Sequence, residues 1–303
     1  MMVRKGWSTW KAVLLETVRE VERKNLTLIA AGVAFFGTLA LFPAIGALIA
    51  IWGLIGDPAD VMSQLDSVRA VLPVDVYTLL TDQVTRPMTA DESTLSLTGI
   101  LSLGLAIWLA RAGVAAVMRS MNAVYDEKGR RGLRHHVVAF GLTLALIFVA
   151  IVALTSVVAA PIILSILPLG GFATFAVEAL RWVAATGVLL LGAGLIYRIG
   201  PNRRAAQVPW ISPGAIIAVT LWTIGSVGFS AYLQNFGNYN EVYGSIGAVV
   251  ALLIWLFISA FLLLIGAVVN AQLERHTYAD STVGPPKPLG ERGATAADTY
   301  VEA

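Results

Sequence analysis

The chain has 303 residues, of which 57% are hydrophobic and only 13% charged, and its formal net charge is +2. A soluble globular domain carries about 25% charged residues, so the composition argues against a soluble domain and for a membrane protein. With no cysteine, disulfides, thiolate metal sites and cysteine nucleophiles are excluded.

Residues 1–24 are basic and amphipathic. Trp7, Trp10, Leu14, Val18 and Val21 recur at helical spacing, with Lys5, Lys11, Arg19, Arg23 and Lys24 between or beside them. Tryptophan and lysine on one helix suit the bilayer interface, so this segment is expected to lie on the cytoplasmic membrane surface. A soluble amphipathic helix packed on the protein is the plainer alternative.

Leu26 to Ile55 reads as the first span, because no charge falls between Lys24 and Asp57. About 20 helical residues cross a hydrocarbon core. The segment is too long for a signal peptide and has no small-residue cleavage site behind it, so it is expected to be retained. Pro43, beside Phe42 and near Gly46, marks a kink or hinge that either lines a cavity or is simply tolerated.

Residues 57–94 are polar and acidic, with Asp57, Asp60, Asp66, Asp75, Asp82, Asp91 and Glu92 against Arg69 and Arg86. Two apolar stripes, Val61/Leu65/Val68/Leu72 and Val76/Leu79/Leu80, predict two short amphipathic helices over the outer face. Leu95 to about Met118 is the second span. It contains Arg111, which shares a helical face with Trp108, Ala115, Arg119 and Asn122. An intramembrane arginine faces the bundle interior or a watery cavity, which makes Arg111 a candidate ligand for an anionic group. A structural arginine that snorkels to the cytoplasmic end is the bland alternative.

Lys128, Arg130, Arg131 and Arg134 form a basic loop. Val137 to about Val158 is the third span, and Pro161, Pro168, Gly170 and Gly171 are expected to break the chain into an outer hairpin. Trp182 to Tyr197 begins the fourth span, which is short unless Glu178 and Arg181, able to pair at the surface, snorkel from its outer end. Ile211 to about Leu233 is the fifth, opened by Ser212, Pro213 and Gly214, a second hinge candidate. Gly225 and Gly228 would pack helices closely, within the chain or in a homo-oligomer. After an outer turn at 237–244 the sixth span follows, for nothing charged lies between Glu241 and Glu274. Residues 279–303, rich in Gly, Pro, Ala and Thr, predict a disordered cytoplasmic tail.

Lysine and arginine alternate between the loops as an even number of spans requires, placing both termini in the cytoplasm. The expectation is therefore an all-α polytopic membrane protein with six transmembrane helices over residues 25–278.

Several stretches resemble the YihY/BrkB-like family of bacterial inner-membrane proteins. They are AFFGTLALFP (34–43), RAGVAAVMRSMNAVY (111–125), YRIGP (197–201), the Pro213-Gly214 opening, and the run from Tyr243 to Glu274. The resemblance covers roughly residues 20–276. It implies six spans in the bacterial inner membrane and brings labels of transporter, virulence factor and, historically, tRNA-processing ribonuclease. Relatives usually carry a glutamate where this chain has Val268, which puts proton coupling in doubt.

The ribonuclease label fits the residues poorly. Metal-assisted phosphodiester cleavage needs clustered ligands. The histidines are only His135, His136 and His276, and the acids concentrate in the outer loop. No phosphate-binding loop or nucleophile elbow is present. The reading is a non-enzymatic transporter, flippase or exporter of an anionic or zwitterionic lipid or small solute. It needs no cofactor or metal and binds no nucleic acid. The candidate substrate-binding residues are Arg111, Arg119, Asn122, Asn235, Tyr243 and Asn270, with Pro43, Gly46, Pro213 and Gly214 as hinges. The alternative is a scaffold for other envelope proteins.

Overall fold

The computed structural model describes residues 7–55, 92–166, 171–203, 207, 209–235 and 246–301. The outer-loop helices expected in 57–94, the turn at 237–244, Tyr243, and the side chains of Pro43, Gly46, Glu178 and Asn235 lie outside the described residues. The all-α expectation holds. The described elements are α1 (Trp7–Arg23), α2 (Leu26–Ile55), α3 (Glu92–Val124), α4 (Leu133–Ile166), α5 (Gly171–Ile199), α6 (Pro213–Asn235), α7 (Ile246–Arg275) and the short α8 (Thr295–Asp298).

Among the described residues five stretches are long and apolar enough to cross a membrane: Leu103–Val124, Leu133–Ala153, Phe175–Ile199, Pro213–Leu233 and Val249–Arg275. Leu26–Ala40 is a shorter apolar stretch at the start of the 30-residue α2. These helices are apolar round most of their circumference, and their exposed side chains include Phe148, Phe175, Val183, Ile224 and Val227. Such surface is stable only against hydrocarbon or another apolar partner.

Two boundaries differ from the sequence reading. α4 runs through Pro161 to Ile166, so the expected break at Pro161 does not occur. α5 begins at Gly171 and spans 29 residues, so it takes in positions 178 and 181 and is the longer of the two forms the sequence left open for the fourth span. Both differences arise because helices in apolar surroundings tolerate an internal proline or charge better than the sequence pattern suggests. α2 is helical through positions 43 and 46, so neither hinge candidate ends it.

The chain divides into two compact units. The first holds residues 1–30, 114–225 and 259–303. Its core is made by Met118, Met121, Leu142, Leu264, Val268 and Val269, each 2% exposed or less. α4 and α5 run against each other, with Val149 Cγ1 about where a side chain on Gly192 would touch it, 3.4 Å away. Val13 of α1 packs on Val269 and Leu273 of α7, with Trp10 beside them. α6 and α7 approach closely at Gly214 and Gly266, where a Cβ on either residue would strike the other's carbonyl oxygen. Gly214 is thus a packing glycine, whereas Gly228, expected to pack closely, has open space at its Cβ position.

The second unit holds residues 31–113 and 226–258. Within it Gly37 of α2 lies where a Cβ would be 3.3 Å from Leu256 of α7, and Gly113 of α3 approaches Phe36. Trp255 Nε1 of α7 donates to Ser226 Oγ of α6 at 3.3 Å.

Residues 279–301 correct the expectation of a disordered tail. The Arg292 guanidinium, on a side chain 4% exposed, donates to the carbonyls of Ala297 (2.8 Å), Tyr278 (2.9 Å) and Lys287 (3.2 Å). Asp298 accepts from the N–H groups of Gly290, Arg292 and Gly293. The Val301 N–H reaches the Arg275 carbonyl at 3.0 Å. Low apolar periodicity suggested disorder, but here backbone groups satisfied by one arginine and two aspartates supply the order, the second being Asp280, which holds Thr282 and Lys287. Gly284, Gly290 and Gly293 take the positive φ that these tight turns need.

Candidate functional site

One end of the first unit is polar, and it gathers the last turns of α1, α3, α5 and α7 with the first turns of α2, α4 and α6. The α1–α2 and α3–α4 connections turn on Asn25 (φ 50°) and Asp126 (φ 53°), two residue types that tolerate left-handed backbone. The turn at Asn25 aims Lys24 at the end of α3. Its ammonium donates to the carbonyls of Ala123 (2.7 Å) and Val124 (2.9 Å) and to Asp126 Oδ1 (2.9 Å). A cation there satisfies carbonyls that the helix leaves open and meets the negative end of its dipole.

Glu20 joins the same network. It pairs with Arg23 (2.5 Å), Lys24 (3.2 Å) and Arg275 (3.6 Å), and Arg275 also reaches Asp126 Oδ2 (2.5 Å). Burial raises the Glu20 carboxyl, but Arg23 and Lys24 outweigh it and hold the group below its ordinary value. Asp126 behaves in the same way: burial raises it, while Lys24 and Arg275 bring it below the usual carboxylate range.

A second cluster surrounds Arg203. Its side chain is 4% exposed, pairs with Glu274 at 2.5 Å and lies over the Tyr125 ring at 4.6 Å. Ser281 from the tail donates to the same Glu274 carboxylate. Burial pushes the Tyr125 phenol well above its ordinary value, against the opposing charge of Arg203. Arg130 caps the end of α5, donating to the carbonyls of Ile199, Gly200 and Pro201 at 2.8–2.9 Å.

Among the candidate residues described in the first unit, two asparagines tie neighbouring segments together. Asn122 Oδ1 accepts from the Asn202 N–H at 2.7 Å and ties the end of α3 to the loop after α5. Asn270 Oδ1 accepts from the Gly214 N–H at 2.8 Å, and its Nδ2 donates to Ser212 Oγ at 2.8 Å. Both asparagines thus hold the first unit together. Pro213 is the first residue of α6, placed where its missing N–H costs nothing. Arg119 is exposed. Val268 is 1% exposed.

Arg111 belongs to the second unit. It is half-buried, and its guanidinium carbon lies 4.5 Å from the centre of the Trp108 ring. The arrangement is a cation–π contact, one turn apart on the apolar α3. The same unit has an open groove of about 320 Å³ between α6 and α7, lined by Ser226, Phe229, Ser230, Leu233, Ala251, Leu252 and Trp255. Two serines and a tryptophan in an otherwise apolar wall give polar contacts inside a membrane-helix surface. The sequence reading missed this groove, and it missed the networks at Glu20 and Arg203. The signals were present as Ser226 and Ser230 one turn apart, and as charges flanking each apolar run. Among the described residues no group of three or more His, Cys, Asp or Glu side chains gathers as a metal site.

Residues 17–289 match the family described as Virulence factor BrkB. Among curated relatives, the ribonuclease-like protein YfkH of Bacillus subtilis is 30% identical over 263 residues, covering 81% of this chain and 89% of its own. A UPF0761 membrane protein of Alteromonas mediterranea is 25% identical over 82% of this chain and 83% of its own. Another, from Pseudoalteromonas translucida, is 22% identical over 85% and 84%. No solved structure matches the chain.

Proposed function

The chain belongs to the BrkB family of membrane proteins, and from that premise we propose that it is an inner-membrane flippase or exporter for an anionic or zwitterionic lipid. In this reading it spans the membrane six times with both termini in the cytoplasm. The orientation is supported by the basic residues at the polar end of the first unit, Lys24, Arg130, Arg203 and Arg275 among them, as the positive-inside bias requires.

The observation that carries the substrate class is Arg111, a half-buried guanidinium on a tryptophan within an apolar helix. Facing lipid tails, such a group would cost several kcal/mol, so it is retained where an anion or a polar path needs it. A guanidinium suits the paired oxygens of phosphate or carboxylate. The open groove with Ser226, Ser230 and Trp255 supports a lipid over a small solute, because a lipid headgroup can enter from the side while its tails remain in the bilayer. Native mass spectrometry of detergent-purified protein tests this. The wild type is expected to retain a specific anionic or zwitterionic lipid that Arg111→Ala loses. Retention by both variants would remove Arg111 from the site.

A scaffold role is the second reading, favoured by the dense hydrogen bonding of the first unit, in which Asn122 and Asn270 both tie backbone segments together. Nuclease activity is not part of the proposal. Purified protein with divalent metal is expected to leave RNA intact.

A further inference from the structure

We propose that α1 is an in-plane bilayer anchor, which presses a bare apolar ridge of Trp7, Leu14 and Val18 into the interfacial layer of the membrane that the other helices cross. The proposal does not depend on transport. At about 100° per residue, α1 divides into three sectors. Trp10, Val13, Thr17 and Glu20 form the first, which is turned to the protein. Val13, Thr17 and Glu20 are buried, Val13 against Val269 and Leu273. Glu16, Arg19 and Arg23 form a charged sector. The ridge is the third, about 100° round from the packed sector. Its members are 74% (Trp7), 54% (Leu14) and 64% (Val18) exposed, and Leu15, 63% exposed, lies about 60° further round beyond Lys11 and Glu22.

A peripheral helix lying in the membrane plane needs this division: one side to the bundle, the underside to lipid, the remainder to water. The bilayer is the occupant because the chain leads directly from the ridge into an apolar helix whose first turn is also bare at Leu28. α1 ends at Arg23, α2 begins at Leu26, and Leu28 in the first turn of that apolar helix is 75% exposed. Lys24 and Glu20 fix the angle between the two helices through their bonds to the ends of α3 and α7. Lys11, whose ammonium lies 5.6 Å from the Trp7 ring centre, edges the ridge as an interfacial cation would. Lys11, Arg19 and Arg23 balance Glu16, Glu20 and Glu22 in α1, so apolar burial rather than attraction to anionic lipid drives the contact.

The cysteine-free chain allows a direct test. Full-length protein carrying one spin-labelled cysteine, at Val13, Leu14, Val18 or Arg19, is placed in vesicles of phosphatidylcholine with phosphatidylglycerol. Accessibility to oxygen and to a water-soluble nickel chelate is then measured. Leu14→Cys and Val18→Cys are expected to favour oxygen, at a depth of about 5–10 Å. Arg19→Cys is expected to favour the chelate and Val13→Cys to be closed to both. The proposal is overturned if the Leu14 and Val18 labels behave like that at Arg19, which places the ridge in water. It is equally overturned if they are closed to both reagents, which means a second copy or another protein covers it.

Discussion

Substituting Gly214 by alanine tests the packing of α6 on α7. The new Cβ would strike the Gly266 carbonyl oxygen and lie 2.6 Å from Asn270 Cγ, where ordinary contact is 3.4–4 Å. The obstacle is backbone, so no rotamer change relieves it, and the helices must part by about 1 Å. Overpacking of this kind costs about 1–3 kcal/mol. Weakening the 2.8 Å bond from the Gly214 N–H to Asn270 adds about 1 kcal/mol, for a loss of about 2–4 kcal/mol. Gly228→Ala on the same helix is the control, since nothing lies within 4 Å of its Cβ position, and helix propensity there favours alanine by about 1 kcal/mol. Unfolding in detergent or bicelles, followed by steric trapping, reads both variants. Equal stability of the two would refute the close approach and the reasoning built on it.

Other expected outcomes follow from the polar end. Glu20 and Asp126 are held below their ordinary values, so their contribution is complete above the unfolded carboxylate range and is lost as pH falls through the folded values. The melting temperature should therefore drop below about pH 4, and Glu20→Gln should be less stable at pH 7 with a flatter acid limb. Arg130→Ala leaves three carbonyls at the end of α5 uncapped and should cost on the order of 2 kcal/mol, with faster amide exchange after Ile199. Arg292→Ala removes the anchor of residues 278–297 and should open the tail to limited proteolysis while the wild-type tail resists under the same conditions.

The apolar runs were legible in the sequence because a charge-free stretch about 20 residues long has few stable fates other than a membrane helix. Arg111 was legible because it interrupts such a run. The tail was not, since composition reports apolar periodicity and its order depends on where Arg292, Asp280 and Asp298 meet the backbone. Nor was the packed face of α1. Trp7, Trp10, Leu14, Val18 and Val21 read as the apolar stripe, and of these Trp10 packs inward, yet the buried residues are Val13, Thr17 and Glu20, two of which are polar. Their burial depends on partners from α7 that are some 250 residues away in sequence. Asn122 became a candidate ligand because it shares a helical face with Arg111, and Asn270 because it lies inside an apolar run. Such surroundings also make an asparagine valuable as a backbone tie, and sequence alone does not separate these uses.

The most direct measurement is lipid movement by the purified chain in vesicles. Phospholipids with a fluorescent headgroup label, anionic or zwitterionic, are reconstituted with the wild type, with Arg111→Ala, or without protein, and an impermeant reductant bleaches the outer leaflet. The account predicts loss of fluorescence beyond the outer-leaflet share with the wild type, and a return to the protein-free level with Arg111→Ala. Wild-type vesicles that bleach like protein-free ones with every lipid would contradict it, as would an Arg111→Ala variant that moves lipid at the wild-type rate.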